Sequence, residues 1–317
     1  MTDWPQMVSF IVPPHSESFG LGGRLPPTSY LDRLVAYVQA AERAGITGAF
    51  VYDFPVAMDP WLAAFDVLVS SAALEPIVAV RPHQETAESA ARRMVDLGYR
   101  FGRPTHLNVV AGATRPSRAA GEDKVAARQR LAEFAGQVRA ETERRREPGD
   151  PRSLVVTPSS STPGVVPVDC VLMMARPRAA LAADVASVRA GQGVDRIAML
   201  VGLVVRDTEE EAWTAAAALH PPDRRQQVAG RLFMSQVVSS EHARSYALAE
   251  QADVHDERLW YGAPARGIDA PKLVGSPDRV AEWLRGCRAA GVTDLIVDLL
   301  PDPAEYAAVA RVLAVSA

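Results

Sequence analysis

Residues 76–110, PIVAVRPHQETAESAARRMVDLGYRFGRPTHLNVV, decide the fold of this chain. They begin and end in short apolar runs, Pro76 to Arg81 and Thr105 to Val110, and a segment of helical length lies between them. Continuous apolar runs of this kind are typical of strands that are buried on both faces of a parallel sheet. The stretch therefore predicts a strand, a helix and a second strand that runs parallel to the first.

The same alternation continues along all 317 residues. Helix signals separate the apolar runs, as in the capping box formed by Thr208 and Glu211. The candidate strands are Met7 to Pro13, Gly48 to Tyr52, Pro76 to Arg81, Thr105 to Val110, Leu154 to Thr157, Val168 to Met174, Arg196 to Val205 and Thr293 to Asp298. Eight strand and helix units predict a closed (β/α)8 TIM barrel, with residues 1–317 as a single α/β domain.

Two segments interrupt this alternation. The first, Glu147 to Pro167, is rich in Pro, Gly, Ser and Thr. The second, residues 219–270, lies between the seventh and eighth strands and is too long for a simple connection. Long excursions in barrels tend to be loops at the catalytic end. We therefore expect residues 219–270 to be an insertion that folds over the barrel mouth as a lid.

The composition excludes several classes of protein. The formal net charge is -4, and no basic stretch alternates with aromatic residues, so nucleic acid is not an expected partner. No apolar run approaches the ~20 residues of a spanning helix, and the N-terminus carries no secretory signal, so we expect a cytoplasmic protein without a membrane segment. Cys170 and Cys287 suit a reducing compartment and are predicted to be buried. The histidines lack the spacing of metal ligands, so no metal is expected.

Polar residues stand at the ends of the first, third and fourth strands, where a barrel enzyme builds its active site. They are His15, Arg81 and Asn108. Alternation along the fourth strand points Asn108 into the cup. Each residue also has a structural interpretation. His15 is then a hydrogen-bonding residue at a strand end, Arg81 pairs with an acidic helix start, and Asn108 satisfies buried backbone groups.

Seven short motifs follow one another in a collinear order along most of the chain. They are FIVPPH at 10–15, AERAG at 41–45, DPWL at 59–62, VAVRP at 78–82, LNVVAG at 107–112, VRDTEEEAW at 205–213 and LVGSPDRVA at 273–281. In this order they resemble the flavin-dependent monooxygenases of the bacterial-luciferase-like superfamily, and the two-component alkanesulfonate monooxygenases in particular.

The resemblance implies an enzyme that takes reduced FMN (FMNH2) from a separate NAD(P)H:flavin reductase, forms a flavin peroxide with O2 and oxygenates a small organic substrate. The protein would position the reactants and exclude water. The catalytic residues that it implies are His15, Arg81, Asn108 and Arg266. The cofactor-binding residues that it implies are Asn108, Ala111, Gly112, Arg128, Ser159, Ser160 and Ser161. Small residues at 111 and 112 allow the backbone to approach the flavin ring, and Arg266 would clamp an anion from the lid.

The sequence departs from the family pattern on the substrate side. Leu200 and Gly202 stand in the seventh strand where the alkanesulfonate enzymes place an arginine and a histidine, and Ala57 replaces a cysteine. A buried sulfonate would lose a charged partner at this wall, which is costly. We therefore expect a substrate that is less anionic than an alkanesulfonate.

The phosphate end is altered as well. Arg128 stands in place of a tyrosine, and the run TPSSSTPG at 157–164 replaces a glycine-rich turn. Hydroxyls and backbone N–H groups in such a run can hold a phosphate, with Arg128 adding charge. The run is equally consistent with a plain linker.

Three functional hypotheses remain open on the sequence. The first is an FMNH2-dependent monooxygenase, with a place in specialised metabolism. The second is a deazaflavin (F420)-dependent oxidoreductase that transfers a hydride. The third is a flavin-binding or cofactor-free barrel that has lost the oxygenase reaction. In each case the segment Trp61 to Leu74, which is apolar on nearly every side, predicts a homodimer or homotetramer.

Overall fold

Eight parallel strands form a closed barrel. The computed structural model describes residues 4–17, 23–54, 57–110, 124–159, 167–219, 221, 228, 240–266 and 270–316. The barrel strands are β1 (Val8–Ile11), β2 (Gly48–Val51), β3 (Glu75–Val80), β4 (His106–Val109), β5 (Val155–Pro158), β6 (Cys170–Met174), β7 (Arg196–Val205) and β11 (Asp294–Val297). Because β11 pairs with both β7 and β1, the ring is complete.

Helices connect the strands and surround the barrel. They are α1 (Pro27–Arg43), α2 (Pro60–Ser70), α3 (Ala87–Phe101), α4 (Lys124–Arg145), α5 (Arg178–Gln192), α6 (Glu209–Leu219), α9 (Pro277–Ala290) and α10 (Tyr306–Ser316). The predicted capping box begins α6, since the Thr208 hydroxyl accepts from the Glu211 N–H at 3.2 Å and the Glu211 carboxylate accepts from the Thr208 N–H at 3.1 Å. The predicted (β/α)8 fold is confirmed. None of the described helices is both long and apolar enough to cross a membrane.

Additional elements lie between β7 and β11, where the sequence predicts an insertion. They are α7 (Ser240–Gln251), β8 (Val254–His255), β9 (Leu259–Trp260), α8 (Gly262–Arg266) and β10 (Lys272–Gly275). The first half of β7 pairs with β11, whereas its second half, residues 202–205, pairs in parallel with β10. The strands β9 and β8 continue this extension in antiparallel order. The long seventh strand therefore carries the insertion beyond the barrel rim.

Alternate strand residues point into the barrel or outward against the helices. Ile11, Phe50 and Ile77 belong to the interior cluster, while Phe10 and Leu107 belong to the larger outer cluster beneath the helices. This arrangement explains why the strands are apolar on both faces. Leu107 is fully buried, and its truncation to alanine is expected to cost about 2–5 kcal/mol.

Two polar pairs lie at the amino ends of the barrel strands. His106 donates from Nε2 to Glu75 at 3.0 Å and accepts at Nδ1 from the Leu154 N–H at 2.9 Å, and Arg196 pairs with Asp294. Because these strand starts lie at the end opposite the active-site loops, the pairs stabilise the barrel floor.

Both cysteines are buried, as predicted, and burial raises the pKa of each thiol. Cys170 begins β6, and Cys287 lies in α9. A thiol whose pKa is raised carries little of the reactive thiolate form. Both residues therefore serve packing rather than chemistry.

Candidate active site

A cavity of about 570 Å³ lies where β2 and β3 end and α2 and α3 begin. Its walls include Asp53, Met58, Trp61, Arg81, Glu85 and Arg93. The N-terminus of α2 is fixed here because the Asp59 carboxylate accepts from the N–H groups of Trp61 and Leu62. The volume falls within the roughly 300–1,000 Å³ of small-molecule pockets. The cavity is therefore large enough for an organic ligand at the catalytic end of the barrel.

Arg81 is held at the cavity by Asp53. Its Nε lies 2.7 Å from Asp53 Oδ2, and its Nη2 donates to the Asp53 carbonyl oxygen at 3.1 Å. Burial raises the pKa of Asp53, and the guanidinium of Arg81 opposes that rise. Arg81 thus pairs with an acid at the end of the neighbouring strand β2, and the pair directs a buried guanidinium into the catalytic end.

A second charged group lines the same cavity. Trp61 Nε1 donates to Glu85 Oε2 at 3.1 Å, and Arg93 pairs with the other carboxylate oxygen of Glu85. The Arg93 guanidinium also lies 5.4 Å from the centre of the Trp61 ring. Burial raises the pKa of Glu85. Sequence reasoning missed Glu85 and Arg93, since nothing in the helix start at α3 distinguishes them from ordinary surface charges.

Asn108 lies in the barrel interior, as alternation along β4 predicts. It is 2% exposed and lies in register between Ala79 of β3 and Val156 of β5. Its side-chain oxygen Oδ1 is buried and has no hydrogen-bond partner among the described residues. A buried acceptor without a partner costs about 1–3 kcal/mol. Asn108 is therefore positioned to accept a hydrogen bond from a ligand.

His15 lies beyond the end of β1, next to α1. Its ring meets the Tyr30 ring edge to face with centres 6.4 Å apart, and its carbonyl oxygen accepts from the Leu25 N–H at 2.9 Å. Burial, with a smaller effect of Arg24, lowers the pKa of His15, which favours the neutral imidazole. Nδ1 is buried and has no partner in the part of the chain that the structure describes.

The remaining predicted site residues fall into two groups. Ala111, Gly112, Ser160, Ser161 and the side chain of Arg266 lie outside the described residues. Arg128 lies in α4 with its side chain partly exposed, and the Ser159 hydroxyl donates to Glu241 Oε1 at 2.8 Å.

The opposite wall carries a cation that the sequence did not reveal. Leu200 packs against the interior cluster, and Gly202, two residues further along β7, faces the same way. The side chain of Lys272, which lies in register with Gly202, passes across this glycine, so a Cβ there would come within 2.6 Å of Lys272 Cγ. Lys272 Nζ donates to Asp298 at 3.2 Å. Gly202 thus provides room for a neighbouring lysine.

The described residues contain no group of three or more His, Cys, Asp or Glu side chains that could hold a metal ion. Among the described residues, the site contains paired charges, an amide oxygen without a hydrogen-bond partner and a buried imidazole.

Comparison with known proteins gives one matching family model. Residues 167–294 match the model described as luciferase-like monooxygenase. The chain is also 22% identical over 314 residues to the 4-(gamma-L-glutamylamino)butanoyl-[BtrI acyl-carrier protein] monooxygenase BtrO of Niallia circulans, covering 89% of this chain and 91% of the relative.

Solved structures share the fold along nearly the whole chain. The EDTA monooxygenase EmoA from Chelativorans sp. BNC1 has a TM-score of 0.69 at 15% identity, covering 97% of this chain and 93% of that one. The oxygenating constituent of the 3,6-diketocamphane monooxygenase of Pseudomonas putida, in complex with FMN, has a TM-score of 0.65 at 16% identity and 96% coverage of both chains. The coenzyme F420-dependent tetrahydromethanopterin reductase of Methanopyrus kandleri has a TM-score of 0.58 at 13% identity and 97% coverage of both chains.

The motif order, the closed barrel and the family match agree with one another. Residues 167–294 thus match the luciferase-like monooxygenase model, and the barrel of the whole chain is shared with solved monooxygenase structures.

Proposed function

We propose that the chain is a flavin-dependent monooxygenase that uses reduced FMN and O2 to oxygenate a small organic substrate. The observation that carries the proposal is the buried oxygen of Asn108, which has no hydrogen-bond partner among the described residues of the barrel. The match of residues 167–294 to the luciferase-like monooxygenase model supports it. The FMN-bound camphane enzyme, which shares the fold, supports the choice of cofactor.

The residues of the barrel interior fit a flavin ring. A reduced flavin carries ring N–H donors, and Asn108 Oδ1 offers the acceptor that such a donor requires. Tyr52 and Leu200 add partly buried hydrophobic surface to the interior cluster. When bound, the reduced flavin supplies the electrons that activate O2. The protein's part is to hold the ring, exclude water and orient the substrate.

Arg81 and His15 have separate roles in this proposal. The guanidinium of Arg81, fixed by Asp53, orients a polar group of the substrate in the cavity. The lowered pKa of His15 keeps Nδ1 or Nε2 able to accept a proton near neutral pH. Because Arg81 already faces a carboxylate, the cavity favours a neutral substrate over a sulfonate.

The proposed partners are a separate NAD(P)H:flavin reductase and a further copy of this chain, which forms a homodimer or homotetramer in the cytoplasm. Leu62 and Val69, one helical face of α2, are 61% and 63% exposed, which supports a contact between copies there.

Anaerobic titration with reduced FMN tests the cofactor. The wild type is expected to bind reduced FMN, and Asn108→Ala is expected to bind it about two- to tenfold more weakly through loss of one hydrogen bond. Ser9→Ala is the matched control, because Ser9 also has a buried hydroxyl in the barrel without a described partner, yet lies nearer the amino end of β1. Equal affinity in all three proteins, or no binding at all, would contradict the proposal.

Oxygen uptake separates the alternatives. An F420-dependent oxidoreductase, suggested by the Methanopyrus neighbour, would oxidise substrate with F420 and without O2 consumption. A barrel without oxygenase activity would release only hydrogen peroxide with every substrate. The substrate panel includes neutral small molecules and, because of the Niallia relative, an acyl group carried on a carrier protein.

A further inference from the structure

A buried carboxylate from the insertion lies at the carboxyl ends of β5 and β6. Glu241, in the first turn of α7, is 7% exposed. Its Oε1 accepts from the Ser159 hydroxyl at 2.8 Å, and its Oε2 accepts from the Met174 N–H at 3.0 Å. Arg176, which is 2% exposed, donates to the same Oε2. One carboxylate thus accepts hydrogen bonds from a hydroxyl, a backbone N–H and a guanidinium.

These donors belong to the barrel, whereas the acceptor belongs to the insertion. Ser159 follows β5, Met174 ends β6, and Arg176 lies two residues further on. Phosphate and carboxylate groups are bound by sites in which hydroxyl, backbone N–H and guanidinium donors converge on one point. The carboxyl ends of barrel strands are also where ligands bind. The carboxylate of Glu241 therefore occupies a built oxyanion site.

Arg176 does not depend on Glu241 alone. Its Nη1 donates to Asp184, which also accepts from Arg244 at 2.8 Å. Withdrawal of Glu241 would leave Arg176 paired with Asp184 and free one face of its guanidinium for another anion.

The insertion is also held by contacts that do not involve Glu241. The Tyr261 hydroxyl donates to the Ala175 carbonyl oxygen at 2.9 Å, and the Asp256 carboxylate accepts from the Arg178 N–H at 2.6 Å. These two contacts hold the hairpin formed by β8 and β9, with Asp256 in its turn and Tyr261 directly after it. The carboxylate of Glu241 can therefore leave the site while the hairpin remains docked.

We propose that Ser159, Met174 N–H and Arg176 form a binding site for a phosphate group, and that Glu241 closes this site as an internal competitor. A phosphate binds there by displacing the carboxylate, which releases the start of α7 from the barrel. Where the ligand is the terminal phosphate of FMN, the inference rests on the proposed function. Binding of the cofactor then releases the start of α7 from the barrel.

Inorganic phosphate tests the site without any flavin. Thermal unfolding is followed for wild type, Glu241→Ala, Glu241→Gln and the control Glu305→Ala, with chloride at matched ionic strength. Glu305 is a suitable control because it forms an arginine pair of its own, at 2.7 Å, with Arg206 directly after β7. Phosphate is expected to bind Glu241→Ala at least about tenfold more tightly than wild type, with a smaller gain in Glu241→Gln.

Several outcomes decide the proposal. A gain in phosphate affinity that is restricted to the two Glu241 variants supports the site. A Glu241 variant that folds only with phosphate present supports it as well. Equal shifts in all four proteins, no shift in either Glu241 variant, or failure of both to fold even with phosphate would overturn it.

A second measurement identifies the ligand. Anaerobic titration compares reduced FMN with reduced riboflavin, and Glu241→Ala is expected to raise the preference for FMN about tenfold. An unchanged preference would overturn the assignment to the FMN phosphate. Absence of all flavin binding, together with a positive phosphate result, would overturn the proposed function and leave the oxyanion site standing.

Discussion

Replacement of Lys272 with methionine removes one partner of a buried ion pair at the barrel mouth. The side chains of Lys272 and Asp298 are 6% and 10% exposed, with Nζ 3.2 Å from Oδ2. Methionine is long and flexible, so it fills the space across Gly202 and the substitution acts mainly through charge. The substitution removes the Lys272 ammonium from beside the buried carboxylate of Asp298.

The expected loss of stability is large because the carboxylate of Asp298 stays buried and poorly solvated. Removal of one partner of a buried pair costs about 3–5 kcal/mol in the free energy of unfolding. The double variant K272M/D298L is expected to recover most of this loss, since the burial of two charges disappears together with their attraction. The single and double variants thus form a double-mutant cycle with strong coupling.

Urea unfolding, followed by the fluorescence of the five tryptophans, measures these differences. The control is Arg311→Ala, which breaks the surface pair with Asp207, whose side chains are 52% and 76% exposed. A surface pair of this kind contributes about 0–1 kcal/mol. A K272M protein as stable as the control variant, or single effects that simply add in the double variant, would refute the reasoning.

Three further predictions follow from His15, α2 and Gly202. Burial lowers the pKa of His15, so the unfolded chain takes up a proton first as the pH falls through about 6.5, and the folded state loses stability. His15→Gln is therefore expected to lose less stability on acidification than wild type. Urea unfolding at each pH measures the difference. Leu62→Glu is expected to convert an oligomer to monomers in light scattering, whereas the control Leu31→Glu on α1 leaves it intact. Gly202→Ala is expected to lower the urea midpoint, because its Cβ would displace the Lys272 side chain, while Gly191→Ala, where a Cβ meets open space, is the control.

The sequence was sufficient to predict where the strands lie but not which strands pair. Continuous apolar runs located all eight barrel strands, because strands buried on both faces leave a simple pattern. Residues 196–205 were predicted as one strand, and they form one strand, yet only the first half closes the barrel with β11. Both halves are buried, so hydropathy cannot reveal where the partner changes.

Within the site, the sequence predicted the residues whose position follows from a local pattern and missed those whose role depends on long-range contacts. Alternation along β4 was enough to place Asn108 in the interior. Lys272 and Glu241 were missed, because their roles depend on partners such as Gly202 and Ser159 that lie 70 and 82 residues away. A lysine before an apolar strand and a glutamate near a helix start are ordinary on their own. Only pairing of distant segments turns them into buried charges.

The charges at the mouth restrict the class of substrate. Arg81, Arg93 and Lys272 each face a carboxylate, those of Asp53, Glu85 and Asp298. An anionic substrate would have to compete with carboxylates that are already desolvated and close, so its charge would gain little. A neutral molecule with a hydrogen-bond acceptor instead uses the guanidinium of Arg81 without breaking its pair with Asp53. Among otherwise matched compounds, an amide should therefore be oxygenated with a higher kcat/KM than the corresponding carboxylate. The reverse order would mean that the Asp53 pair opens during binding.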